Sequence, residues 1–275
     1  MARKKKTVSY SQYSLYKTCS YLWYSQYVKG LYNFKPSIHL VFGTSIHETL
    51  QLWLKVMYTQ SASAADKMDL CLDFKQRFIE EYKKRVQEYN GEHFSSKEEL
   101  QEFYLDGLAI LDWIRKKRSR YFSVRDVDLI GIEIPVLTQA NKGIDNVTLK
   151  GAIDFILYDK KLKRYSIYDI KTSTRGWTDQ DKKDEKKVNQ VLLYKRFFAD
   201  MNQVSEEDVD VTFFIVKRKV PEIAEFPIHR VQEFKPAHGK IKVKKAYEDF
   251  QSFITECFTS EGAYVEKEYY KLLIS

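Results

Sequence analysis

Apolar positions change their period twice along the chain, and the changes divide it into a helical part, a strand-rich part and a helical end. From Ser9 to Val28, "SYSQYSLYKTCSYLWYSQYV" opens on serines able to cap a helix and continues with aromatics three and four apart, which predicts a first helix. "PSIHLVFGTSIHETLQLWLKVMY" turns at Pro36 and Gly43 and runs into a second helix, where His47, Leu50 and Leu54 share one face and His47 points inward. Residues 64–90 and 97–120 are charged, carry Leu, Phe and Tyr, and lack proline, so two long amphipathic helices follow, with "YNGEHFSS" as their turn. From Asp126 the period falls to two. "VDLIGIEIPVLT", "VTLKGAIDFILYD" and "RYSIYDIKTS" read as three strands, the last two joined by the turn "DKKLKR". Helical period returns in "KKDEKKVNQVLLYKRFFAD", with Val188, Val191, Leu192 and Phe198 on its apolar side. "DVDVTFFIVKRK" and "FPIHRV" read as further strands, and a last helix covers roughly residues 238–260. This order predicts a mixed α/β (α+β) fold with helices on a central sheet, in one domain over 1–275 with a helical insertion at about 61–122.

Composition narrows the class. With 44% hydrophobic and 15% aromatic residues among 275, the chain can bury a sizeable core, which excludes disorder. Lys and Arg outnumber Asp and Glu by 46 to 38, a net +8 that suits a polyanionic partner without requiring one. Cys19, Cys71 and Cys257 lie far apart with no CxxC pair, so neither a disulfide framework nor a cysteine zinc site is indicated, and a reducing, cytoplasmic setting is expected. No apolar stretch follows the charged start and none later is long enough to span a bilayer, so no membrane partner is expected.

The candidate chemistry lies in the strands. Asp169 and Lys171, two apart, leave the same face of theirs, and the hairpin turn can bring Asp154 beside Asp169. Two neighbouring carboxylates repel unless a cation sits between them, and a hard ion such as Mg²⁺ takes one or two carboxylates and fills its shell with water and phosphate oxygens. A lysine nearby can stabilise charge on phosphoryl oxygens or position the attacking water. An inward neutral His47 can complete an oxygen shell and suits Mn²⁺. Gln190 and Tyr194, four apart on one helix face, can hydrogen-bond phosphate or the lysine. Each residue taken singly also has an ordinary reading: a solvated hairpin, a satisfied core histidine, a polar pair facing water.

Taken in order, "GTSIH", "GAID", "DIK" and "QVLLY" resemble the G-x-x-x-H, G-x-x-D, (D/E)-x-K and Q-x-x-x-Y motifs of the RecB-type branch of the PD-(D/E)XK nuclease superfamily, which includes CRISPR-associated RecB-like exonucleases. The motifs span residues 43–194, and the opening helix up to Cys19 extends the resemblance towards the N-terminus. It implies a restriction-endonuclease-like mixed sheet flanked by helices, a catalytic core at about 123–235, and an insertion where relatives carry variable helices. It implies His47, Asp154, Asp169 and the carbonyl of Ile170 as ligands of Mg²⁺ or Mn²⁺, and Asp154, Asp169, Lys171, Gln190 and Tyr194 as the catalytic set. Glu133, in "GIEIPV", ranks below these as a further acid. The implied activity is a metal-dependent deoxyribonuclease, an exonuclease by preference, in which a metal-activated water attacks and leaves a 5′-phosphate. Its setting would be recombination, repair or replication, with a phage (and its host's cytoplasm) among the sources. A DNA-binding scaffold that has lost catalysis is the alternative, and the intact Asp154, Asp169 and Lys171 argue against it.

Two departures from the branch have consequences. Several relatives hold an iron–sulfur cluster on four cysteines; here only Cys19 and Cys257 stand in suitable regions, so no cluster is expected and Cys19 reads as a small buried residue. A G-x-x-x-x-G-K-(S/T) motif is lacking, so no nucleotide is expected, and movement on DNA would need a partner such as a helicase, a recombinase or a single-strand-binding protein. Basic runs at 3–6, 115–120, 182–187, 217–219 and 240–245, with Trp177, Tyr121 and Phe122 interleaved, suit a channel for single strands or duplex ends.

Overall fold

A computed structural model of the chain describes residues 6–32, 35–221 and 228–266. A mixed six-stranded sheet carries helices on both faces, in agreement with the expected class. Three residues at the N-terminus form a short strand, β1 (Lys6–Val8), which is too brief to show a period. Helix α1 (Tyr10–Thr18) starts at Ser9, whose hydroxyl accepts from the Gln12 N–H. The expected helix to Val28 does not run through: the backbone is extended at Cys19 and restarts as α2 (Ser20–Trp23), followed by a π-helical turn over Tyr24–Val28. Cys19 is accordingly exposed rather than buried. Its sulfur caps α2 by accepting from the Leu22 N–H at 3.4 Å.

Helix α3 (Ile38–Thr59) passes through Gly43 without the expected turn. The glycine serves close approach instead, because a Cβ there would lie 3.3 Å from Thr172 Oγ1. The two long helices follow as α5 (Leu70–Glu88) and α6 (Lys97–Lys116), each flanked by one short piece, α4 (Ala62–Asp66) and α7 (Arg118–Tyr121). Then come β2 (Val127–Asn141), β3 (Ile144–Asp159) and β4 (Arg164–Ser173). A short α8 (Asp179–Lys183) and the expected α9 (Glu185–Asn202) lead to β5 (Val209–Lys217). The strand expected at 226–231 begins only at its last residue: β6 is Val231–Phe234, where Val231 pairs with Val216 and the Phe234 ring stacks on Phe213, while residues 226 and 227 lie outside the described residues. Helix α10 (Lys240–Cys257) closes the series.

Strand β2 pairs antiparallel with β3 along its whole length, so every other partner of β3 must use its second flank. There β1 pairs in parallel with Val147–Leu149 and β4 antiparallel with Phe155–Asp159. Among the described residues, no strand lies beside 150–154 on that flank. Beyond Tyr168, β4 leaves β3 and stays paired only with β5, up to Ser173 opposite Lys217, so the sheet forks.

Residues two apart on a regular strand share a face. Here Ile153 and Ile134 join the core under α1, α9 and α10, whereas Phe155 and Ile132 join the core under α3, α5 and α6. The strand pair therefore changes face between these rungs, and the two residues in between are Glu133 and Asp154. Glu133 takes the left-handed conformation, φ 50°, a strain that costs a non-glycine residue on the order of 1 kcal/mol.

The core under α3, α5 and α6 is tightly filled where α6 meets α5. A Cβ on Gly107 of α6 would meet the Phe74 ring at 2.3 Å, and that ring is fully buried among Phe42, Phe78 and Tyr104. We expect Gly107→Ala to lower stability by about 1–3 kcal/mol despite its gain in helix propensity. Urea unfolding checks this through a lower midpoint at unchanged slope.

Candidate active site

The fork gathers side chains from five elements. Asp154 leaves β3 at the point where the strand pair changes face, and its Oδ2 accepts from the Ile170 N–H of β4 at 2.5 Å, bridging the two diverging strands. Helix α3 reaches the same carboxylate with His47, whose Nδ1 stands 3.8 Å from Asp154 Oδ2. One helical turn on, Gln51 donates to Glu133 Oε1 at 2.5 Å and approaches the Asp154 carbonyl at 3.4 Å. Gln51 is 5% exposed, so it holds the strained Glu133 from inside the protein.

On the other arm Lys171 stands 2.7 Å from Asp169 Oδ2 and donates to Gln190 Oε1 at 2.9 Å. Gln190 in turn donates to the Tyr194 hydroxyl at 3.3 Å, which orders the amide so that its oxygen faces the lysine. Tyr194 packs on the open flank of β3. A Cβ on Gly151 would come 3.3 Å from its ring and hydroxyl, so this glycine admits the tyrosine. The structure thus brings His47, Asp154, Asp169, Ile170, Lys171, Gln190 and Tyr194 together. It adds Gln51, which sequence reasoning missed although it lies four residues from His47 and hence on the same helix face.

Electrostatics follow from burial. Asp169 is only 3% exposed; burial raises its carboxyl above the ordinary range and Lys171 pulls the other way. Asp154 is held well above that range by burial first and by the charge of Asp169 second. Burial, then the positive Lys171, pushes His47 down to about 4, so its imidazole is neutral at pH 7. Burial pushes Tyr194 up to about 12, leaving a neutral phenol.

Whether these residues suit a divalent cation can be judged from their donors. Two buried carboxyls repel, a neutral imidazole lies beside one, and Asp169 Oδ2 faces the Lys171 ammonium at 2.7 Å. That is the oxygen-rich set, with one nitrogen, that Mg²⁺ or Mn²⁺ takes, and the cation would relieve the repulsion. In the present arrangement no three His, Cys, Asp or Glu side chains of the described residues are grouped for one ion, Asp169 being engaged by Lys171.

The basic runs separate on inspection. Arg218 and Lys219 are paired with Glu102 and Asp106, so the run at 217–219 is largely neutralised, whereas in 115–120 Arg115 and Lys116 share Asp112 and Arg118 pairs with Asp66, which leaves an excess of positive charge. Phe122 is 3% exposed within the α3 core and cannot stack bases, and Tyr121 packs on Trp113 and Phe214. Trp177 lines an open cleft beside Lys171. Residues 3–5 lie outside the described residues. No described helix is long and apolar enough to cross a membrane.

No curated protein matches the chain. Residues 7–259 match the family model of the PD-(D/E)XK nuclease superfamily, whose members typically use divalent metals such as Mg²⁺. The forked sheet, with an aspartate on each arm and a lysine two residues after the second, is the setting that this family's name encodes, and the chain belongs to the PD-(D/E)XK nuclease superfamily.

Proposed function

We propose that the chain is a Mg²⁺- or Mn²⁺-dependent deoxyribonuclease that works from DNA ends as an exonuclease. The observation that carries this reading is the convergence of Asp154, Asp169 and Lys171 at the fork, with Lys171 oriented by Gln190 rather than left to solvent. Asp154, Asp169, His47 and the Ile170 carbonyl would hold the cation, which when bound supplies Lewis acidity towards the phosphodiester. Lys171 steadies negative charge on the phosphoryl oxygens and positions the attacking water, and its ordered partner Gln190 keeps it from swinging into solvent. The water's oxygen forms a new bond to phosphorus, the bond to the 3′-oxygen breaks with a proton passing to that oxygen, and a 5′-phosphate remains. Tyr194, neutral and buried, braces Gln190. Recombination, repair or replication in a cytoplasm, a phage-infected host's included, is the setting suggested by the resemblance of the four motifs to the RecB-type branch.

End-labelled linear DNA, single- and double-stranded, beside a closed circle, tests the reading with Mg²⁺, Mn²⁺ or EDTA. We expect linear DNA to be degraded with either metal, the circle to be spared and EDTA to stop the reaction. Cutting of the circle would make the enzyme an endonuclease. Binding without cutting under any metal would favour the silent scaffold.

A further inference from the structure

Beside the lysine arm of the fork lies a cleft of about 530 Å³ between α1 and the start of α9, with Lys171 and Gln190 at one end. Its remaining lining includes Trp177, Ser11, Ser14, Lys186 and Lys187, with Leu15 as an aliphatic member. We infer that this cleft seats an unpaired strand of the DNA substrate, with Trp177 as the base-stacking platform and Lys186 as a phosphate contact. The inference deepens the nuclease reading and rests on it.

Trp177 is held in place by more than packing. Its backbone N–H donates to Gln232 Oε1 at 2.7 Å and its backbone carbonyl accepts from Gln232 Nε2 at 3.1 Å. The preceding turn is closed by Ser173, whose Oγ accepts from the Gly176 N–H at 3.1 Å and donates to the Gly176 carbonyl at 3.0 Å. Gly176 has φ +97°, open to glycine alone at low cost, and a Cβ there would sit 3.0 Å from Gln232 Oε1 and Lys217 Cδ. The indole leans on Phe213, ring centroids 4.7 Å apart, and Lys187 Nζ stands 5.7 Å from its centroid.

The opposite wall is equally fixed, since the Tyr10 hydroxyl donates to the Lys186 carbonyl at 2.7 Å and ties α1 to α9. Lys187 is paired with Asp181, whereas Lys186 has no carboxylate partner among the described residues. A pre-positioned aromatic ring in a polar, basic cleft suits an unpaired base, because a duplex hides its base faces and offers only phosphates and groove edges. Hydroxyls and an unpaired lysine supply the sequence-independent contacts to the backbone.

Binding in EDTA tests this without any cleavage, so it can fail while the nuclease reading stands, and the digestion assay can fail while it holds. The probes are a fluorescent single-stranded thymidine oligonucleotide and a blunt hairpin duplex, read by anisotropy against wild type, Trp177→Ala, Trp177→Phe and Lys186→Gln. We expect Trp177→Ala to weaken single-strand binding about tenfold, with Trp177→Phe retaining most of it and the duplex affinity unchanged. Lys186→Gln, which removes no structural contact, should lower the slope of log K against log salt by about 0.7. Wild-type affinity for the oligonucleotide in both Trp177→Ala and Lys186→Gln, equal losses on the duplex, or no single-strand binding by the wild type would each overturn the inference.

Discussion

Lys171→Ala is expected to lower kcat by about 10²–10³-fold while changing KM little, because the ammonium acts on charge that develops during reaction rather than on the bound ground state. Asp169→Ala should remove activity to background, since it takes away a proposed cation ligand and leaves Lys171 without its counter-ion. Gln190→Ala separates the two roles: Lys171 keeps its charge and Asp169 but loses the 2.9 Å bond that aims it, so a loss of about tenfold in kcat is expected. Single-turnover cleavage of a labelled oligonucleotide measures all three. Equal rates for wild type and Lys171→Ala would remove the lysine from the chemistry.

Asp154→Asn is expected to stabilise the metal-free protein while abolishing catalysis. Asp154 and Asp169 both have raised carboxyl pKa values in the fold, so below the unfolded carboxylate pKa the sites cost nothing. As pH rises above it the unfolded chain ionises more easily than the folded one, and stability falls. At neutral pH the folded state carries that penalty, and a neutral amide at 154 removes it while still accepting from the Ile170 N–H. A gain on the order of 0.5–2 kcal/mol in EDTA is expected, or a few degrees in Tm. Mn²⁺ at one hundred times its Kd should stabilise the wild type by about 2.7 kcal/mol and the variant hardly at all. A lower Tm for Asp154→Asn in EDTA would contradict this account of the site.

The strands carrying Asp154, Asp169 and Lys171 were legible because apolar and polar residues alternate in their sequence, and α9 was legible because its apolar side repeats cleanly. The spacing of Gln190 and Tyr194 likewise survives folding intact. What escaped has identifiable causes. The left-handed turn at Glu133 and the change of face it accompanies leave no trace in an alternating pattern that looks regular on both sides. Gly43 reads as a helix breaker in isolation, and only the approach of Thr172 from another element explains it. Phe122 looks available beside a basic run but closes the α3 core, and part of the charge beside it is answered by acids distant in sequence or one turn away. Gln51 was visible in principle, one turn beyond His47, yet its function depends on a strained residue that sequence does not announce.

An unpaired flank on a long strand is ordinarily an aggregation hazard, because exposed backbone groups invite a strand from another molecule. Residues 150–154 of β3 form such a flank, but β1 and β4 close it at both ends and leave only these five residues between them. Lys150 and Asp154 put charge at its borders, and the Tyr194 ring lies across Gly151 in the middle. Shortness and charge are two of the conditions under which an open strand edge resists pairing with another chain, and this flank meets both.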